Sequence, residues 1–365
     1  MGTEIGRRAP SCILGNMWTD ALPLALALAL MAAAAPAAAV SAFQFSSGDP
    51  DGKIATASRP GPATGAAQET ETADDFIVPA ATTVSISQAS FTGLVPSGTS
   101  MSISDVHVEI YRVFPLDSDV NRTSGPPTFG TTQVPTRANS PSDVALADVG
   151  SVAGTLTFST TLLAANFTAL NSIDLGIFPK PGQTTCGDGP VTGDEVRIDV
   201  TFTPPLVLTS DHYFFVPQVL LGTAGDHFLW LSAPKPIVAP GTPFLPDLQS
   251  WIRHAALDPD WLRVGTDIVG GGTFNAVFSL DGEILGSDGT ACGTGAECVS
   301  RFCTDGVCCN TACDGLAEQC DLAGQSGTCV SLAAPAPALT LDGLCVGSAL
   351  LVGIAAIAWR RRSPD

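Results

Sequence analysis

The densest chemistry in the chain is a run of thiols. Cys292, Cys298, Cys303, Cys308, Cys309, Cys313, Cys320 and Cys329 account for eight of its 11 cysteines. Clustered thiols either ligate zinc as thiolates or oxidise in pairs. Small zinc sites place their ligands as Cys-x-x-Cys, often with histidine, and this run has neither that spacing nor a histidine. It is also too short and too polar to build a core of its own, so four disulfides formed in an oxidising compartment are predicted. Spacing does not choose among roughly a hundred pairings of eight cysteines. Cys186 lies far from the run, has no neighbour to pair with, and is expected as a buried free thiol.

A second stretch could bind a ligand. Trp251, Arg253, Asp258, Trp261 and Arg263, with His254 and Asp260 among them, combine aromatic and charged groups without strand alternation. Indole faces stack on sugar rings while carboxylate and guanidinium groups bond to hydroxyls, so an extracellular glycan is the partner such a set would take. The same indoles would equally serve to plug one end of a β-sandwich. Calcium is the one candidate cofactor: Asp49, Asp51, Asp74 and Asp75 form two acidic pairs that would have to converge across neighbouring strands. Asp117, Asp119 and Asn121 begin like an EF-hand loop, but Arg122 takes the place of its glycine and Thr128 that of its last glutamate. The four histidines, His107, His212, His227 and His254, are scattered, and the common hydrolase, zinc-protease, P-loop and dinucleotide motifs are absent. An enzyme is not expected on this basis. A glycan hydrolase with an unfamiliar site is the third class, and it would need two facing carboxylates.

The elements that must position these groups are strands. Val84 and Ile86 alternate with serines, and Val106, Val108 and Ile110 alternate with His107, Glu109 and Tyr111. Leu156 and Phe158 alternate with threonine; Val196, Ile198, Val200 and Phe202 alternate with Arg197, Asp199 and Thr201. Residues 212–221 and 227–231 are more continuously apolar, as central strands are, and Phe274, Ala276, Phe278 and Leu280 make a last alternating strand. A short helical turn is expected near residues 247–254. About seven short strands between Pro and Gly loops predict a mainly β fold, an antiparallel β-sandwich of the jelly-roll or immunoglobulin-like kind.

Both ends carry addressing features. Arg7 and Arg8, the apolar run 21–35 and the small residues 37–42 predict a signal peptide over residues 1–42. Residues 343–359 are uncharged and apolar and run into Arg360, Arg361 and Arg362, which predicts a C-terminal transmembrane or sorting helix with residues 360–365 as a basic cytoplasmic tail. Between them the expected order is a β-sandwich over 43–285, a disulfide-rich module over 286–330 and a Pro/Ala linker over 331–342. The formal net charge of −19 argues against nucleic acid as a partner.

Three resemblances add to this reading. The proline-led apolar tail from Pro335 to Arg362 resembles the PEP-CTERM and MYXO-CTERM class of bacterial surface-sorting tails, with Pro337, Leu339, Leu341 and Gly343 where such tails carry a short signature. That implies membrane retention, a sorting protease as partner, and Cys345 as a processing or lipid-attachment point. The stretch from Ala73 through Asp74 and Asp75 to Phe76, closed by Phe274 to Phe278, resembles a secreted bacterial "ADDF" β-sandwich. The cysteines from Cys298 to Cys309, continued by Cys320 and Cys329, resemble a cysteine-rich module of myxobacterial surface proteins, with Ala317 where a further cysteine usually stands. Together they imply an exported, envelope-anchored surface protein with a structural, adhesive or display role.

Overall fold

Alternating apolar residues build sheets here rather than helices. In a computed structural model, which describes residues 41–61, 69–121, 137–174, 177, 184–223, 226–255 and 260–332, the chain is mainly β, with 52% strand and 4% helix. The strands in chain order are β1 (Ala42–Ser46), β2 (Ile54–Ala57), β3 (Thr70–Pro96), β4 (Ile103–Arg112), β5 (Ala147–Gly150), β6 (Leu156–Ala169), β7 (Asn171–Ile173), β8 (Val191–Leu221), β9 (Leu229–Ala233), β10 (Trp251–His254), β11 (Leu262–Arg263), β12 (Asn275–Ala276) and β13 (Phe278–Ile284). Most of the alternating segments seen in the sequence lie in one of them; the last, Phe274 to Leu280, is split between β12 and β13, with Phe274 and Val277 outside both.

Their lengths differ from expectation. β3 runs for 27 residues and β8 for 31, and the two pair antiparallel along most of that length. What reads as several short strands is one bent ribbon. The ladder breaks between Val78 and Thr83 and again between Ile86 and Gln88. Pro79 stands in the first gap, and Pro204 and Pro205 lie on the β8 side of the second, where prolines have no N–H to donate. Beyond the breaks, the first half of β3 and the second half of β8 extend into a sheet with β4, β5, β10 and β11. The other halves extend into a sheet with β6, β13 and β1. β2, β9 and β12 join the edges, and β2 with β7 is a parallel pair in an otherwise antiparallel scheme.

The two halves close on each other in a sandwich-like arrangement. Phe76, Val108, Ile110 and Phe215 from the first sheet share one core with Ile86, Phe91, Ile198 and Phe278 from the second. Phe215 stacks on Phe278 at 4.9 Å between ring centroids, which fixes the spacing of the layers. Each such fully buried side chain contributes about 2–3 kcal/mol of apolar transfer. Gly93 lies where β9 crosses β3: a Cβ there would fall 2.1 Å from the Phe228 ring and 2.7 Å from the Leu229 carbonyl, so only glycine admits the crossing.

The sheets differ on their outer faces. On the second, Gln88, Ser90, Asp199 and Thr201 meet solvent, as clean alternation predicts. On the first, Tyr111, Phe214 and Val216 are covered by Trp251 and Trp261, which explains why residues 212–221 are apolar on both faces. The helical turn expected near 247–254 is absent. That stretch enters β10, because Trp251, Ile252 and Arg253 complete the ladder of β3 residues 70–73. One π-helical turn, Val264–Val269, follows β11 and ends at Gly270 with φ 92°.

The cysteine module follows directly. Leu285 N–H donates to Thr83 O on β3 at 2.8 Å, and Gly286 N–H donates to Glu297 O inside the module at 2.8 Å. Disulfides join Cys292 to Cys303, Cys298 to Cys308, Cys309 to Cys320 and Cys313 to Cys329, two successive interlaced pairs. The bridges support two hairpin ladders, β14 (Cys303–Thr304) with β15 (Val307–Cys308), and β16 (Glu318–Gln319) with β17 (Val330–Ser331). Cys309, Cys313 and Cys320 form its buried centre, so cystines take the place of a hydrophobic core. Among the described residues no helix is long and apolar enough to cross a membrane. The expected signal peptide up to residue 40, the tail over 343–359 and Cys345 lie outside the described residues.

Candidate functional site

The polar residues that could do chemistry collect where the segment from Lys235 to Ala276 lies over the first half of β3. Glu71, on β3, faces Arg253 on β10 through a two-point ion pair, one contact being Arg253 Nη2 to Glu71 Oε1 at 2.9 Å. Arg253 Nη2 also donates to Tyr111 Oη at 2.7 Å, and its guanidinium stacks over the Trp261 ring at 4.6 Å. Tyr111 Oη lies 3.0 Å from Glu71 Oε1 and 3.1 Å from Glu109 Oε2. Two carboxyl groups thus share one phenol inside the protein, and Glu71 alone also pairs with the cation. Burial, together with the neighbouring Glu71 carboxylate, pushes Glu109 up to about 9, so it is protonated at neutral pH. Burial also pushes the Tyr111 phenol far above its ordinary value.

A second network lies one turn of the pleat along β3. Asp74 accepts Ser250 Oγ–H at 2.9 Å and Ala276 N–H at 2.8 Å, and Asp75 accepts Leu248 N–H at 3.0 Å and bonds His212 Nε2 at 2.6 Å. Burial pushes both carboxyls up, Asp74 the further. Lys235 binds Asp247 Oδ1 at 2.6 Å and Asn275 Oδ1 at 3.0 Å. The aspartate pair of the ADDF stretch therefore staples the 247–276 segment to the sheet.

The candidate residues from the sequence fall as follows. Trp251 and Trp261 are buried, at 1% and 4% exposure, and present no open ring face. Arg253 is buried in the ion pair, Arg263 is half-buried against Asp267 at 2.7 Å, and Asp258 lies outside the described residues. Of the proposed calcium ligands, Asp49 is exposed, Asp51 binds Lys53 and Ser232, and Asp74 and Asp75 are enclosed. Among the described residues these four carboxylates do not converge on one point. Cys186 is free but exposed, because it sits in an irregular loop at φ 66° and not under a sheet; its expected burial is corrected.

Histidine chemistry is mostly accounted for by carboxylates. His107 bonds Asp105, His212 bonds Asp75 and His227 bonds Asp174. Ser151 Oγ donates to Asp105 at 2.5 Å, but there the acid stands between hydroxyl and imidazole, whereas a hydrolytic triad needs the imidazole between hydroxyl and acid. Asp199 and Asp281 both line a shallow cleft on the outer face of the second sheet, each engaged by its own partner, Arg197 and Gln44. Sequence reasoning missed Glu71, Glu109, Tyr111, Lys235 and Gln249. The acidic residues Glu71, Asp74 and Asp75 close together at the start of a long β-rich run, with Glu69 just before it, were the available signal.

A cleft of about 400 Å3 opens beside β10, with Gln249, Trp251, Arg263 and Thr273 in its wall. No family model and no curated protein matches this chain.

Proposed function

We propose that the protein is an exported, envelope-anchored bacterial surface protein whose sandwich and cysteine module form a displayed head with a structural or adhesive role. The observation that carries this is the module held by four disulfides with cystines for a core, since such a unit is stable only where thiols are kept oxidised. An acidic, disulfide-clamped head suits an extracellular surface, and the apolar tail with its arginine triplet would hold it to the membrane. Within the head we read the two layers as a jelly-roll or immunoglobulin-like sandwich. Phe215 packing on Phe278 across the layers supports that reading.

Trapping free thiols with an alkylating agent in intact cells, then measuring the mass of the peptides that cover residues 291–330, tests the compartment. The reading expects no alkylation at the eight module cysteines before reduction and complete alkylation after it. Four or more free thiols in that segment would overturn it.

A further inference from the structure

Most free edges of the sheets are blunted. β5 is four residues long and carries Asp148, β11 is two residues long and ends on Arg263, and β1 is covered at Ser46, whose carbonyl accepts Thr242 N–H at 2.7 Å. Short strands, charges and covering loops are how proteins keep sheet edges from pairing with other chains. β6 lacks these protections. It runs for 14 residues, and among the described residues it pairs with β8 alone. No charged residue occurs over residues 149–173, in a chain whose net charge is −19. Residues 159–163 are exposed in succession, with Leu162 at 54% and Leu163 at 45%, so the strand is open on both faces there.

One hydrogen bond sets the direction of the free backbone groups. Thr155 O accepts Thr203 N–H at 2.9 Å, and the pairing of Leu156 with Phe202 continues without a shift to Leu162 opposite Val196. Alternate residues of an antiparallel strand turn their N–H and C=O to the same side, so Thr157, Ser159 and Thr161 face β8 while Phe158, Thr160 and Leu162 turn theirs outward. Leu156 shares the outward direction but is 1% exposed, and the ladder shifts beyond Leu162, so the usable edge is residues 158–162. The side chains of Phe158, Thr160 and Leu162 share the face on which Phe158 packs against the core, and Ser159 and Thr161 share the other.

We infer that this edge is a docking surface for a second copy of the chain, the two β6 edges pairing antiparallel about a twofold axis at Thr160. The sequence is complementary to itself in that register. Phe158 lies opposite the partner's Leu162, covering an exposed leucine with an aromatic ring, and Ser159 lies opposite the partner's Thr161; cross-strand pairs of both kinds are favourable. The outward groups of residues 158, 160 and 162 meet their own kind, and each opposed pair exchanges two N–H to C=O bonds, about six in all. Two strongly acidic chains meet here where neither carries a charge, so their mutual repulsion is least at this edge. Five residues a side make a small interface, and the association belongs with the weak ones. The inference goes beyond the anchored-head reading and does not depend on it.

The test is sedimentation equilibrium of the full chain in detergent at up to about 100 µM, where weak complexes register. The parent should dimerise. Thr160→Lys sets two like charges face to face on the axis and should weaken the dimer about tenfold or more, with Tm unchanged because the site is exposed. Leu245→Lys, which removes an 88% exposed apolar side chain elsewhere, should leave the dimer intact. Thr160→Cys, made together with Cys186→Ser, should form a disulfide-linked dimer on mild oxidation, since opposed residues of a hydrogen-bonded pair have Cα atoms about 5.5 Å apart. Leu245→Cys in the same background should link far more slowly. If Thr160→Lys fails to fold by thermal melting, the comparison of the two cysteine variants decides alone. A monomeric parent, a dimer that survives Thr160→Lys or is lost equally with Leu245→Lys, or linkage at position 160 no faster than at 245 would overturn the proposal.

Discussion

Raising the pH should loosen this protein, with Glu109 as a principal cause. The unfolded chain ionises this glutamate near its ordinary 4.5, whereas the folded chain holds it protonated up to about 9. The native state therefore binds the extra proton between those values. Its contribution to stability is complete below the lower one and is lost as pH rises towards the upper one. One proton sets a ceiling of about 1.4 kcal/mol per pH unit, or about 4 kcal/mol between about pH 5 and pH 8. Glu109 is half-buried and not sealed, so roughly half that ceiling is expected. In a protein of this size that is a fall of several degrees in Tm. Asp74 and Asp75 are shifted in the same direction and add to the slope. Glu109→Gln keeps an amide donor for Glu71 and removes the titration, so it should flatten the Tm–pH curve and raise the stability at about pH 8 by ~2 kcal/mol, which is several degrees in Tm. Differential scanning calorimetry of both proteins across that range is the assay. A parent Tm that rises from pH 5 to 8, or a variant destabilised equally at every pH, would refute the reasoning.

Other substitutions probe the packing. Gly93→Ala would drive a methyl into Phe228 and the Leu229 carbonyl and should cost about 1–3 kcal/mol, read as a lower denaturation midpoint. Asp74→Ala strands the Ala276 N–H and leaves the Ser250 hydroxyl only the Phe274 carbonyl, and a loss of about 1–3 kcal/mol is expected, accompanied by faster hydrogen exchange in residues 247–276. Trp261→Ala removes the ring that packs edge-on against Tyr111 at 5.5 Å and covers Arg253, and should cost about 3–5 kcal/mol in chemical denaturation.

Local pattern made the strands legible because alternation at period two is written in neighbouring residues, as at Val196 to Phe202. It did not reveal that β3 and β8 are single bent strands, because Pro79, Pro204 and Pro205 read as boundaries whereas the chain passes through them as ladder breaks. The cysteine module was legible as four disulfides from count and composition, but their pairing was not, since loop closure favours none strongly. The polar networks were the least visible. Arg253 meets Glu71 across 182 residues and Asp74 meets Ala276 across 202, so no local window contains both partners. For the same reason residues 247–254 suggested a helical turn: the β3 edge that recruits Trp251 to His254 into a strand lies far away in sequence.

In the proposed function, a tail outside the described residues holds a disulfide-clamped head on the outside of the envelope. Expressing the full chain and a form truncated before Pro335, fractionating the cells and labelling intact cells with a membrane-impermeant reagent measures it directly. The full chain should sediment with the envelope and carry label on its head, and the truncated form should appear in the soluble exported fraction. A truncated chain that stays with the envelope as firmly as the full one, or a full chain shielded from the label until lysis, would contradict the account.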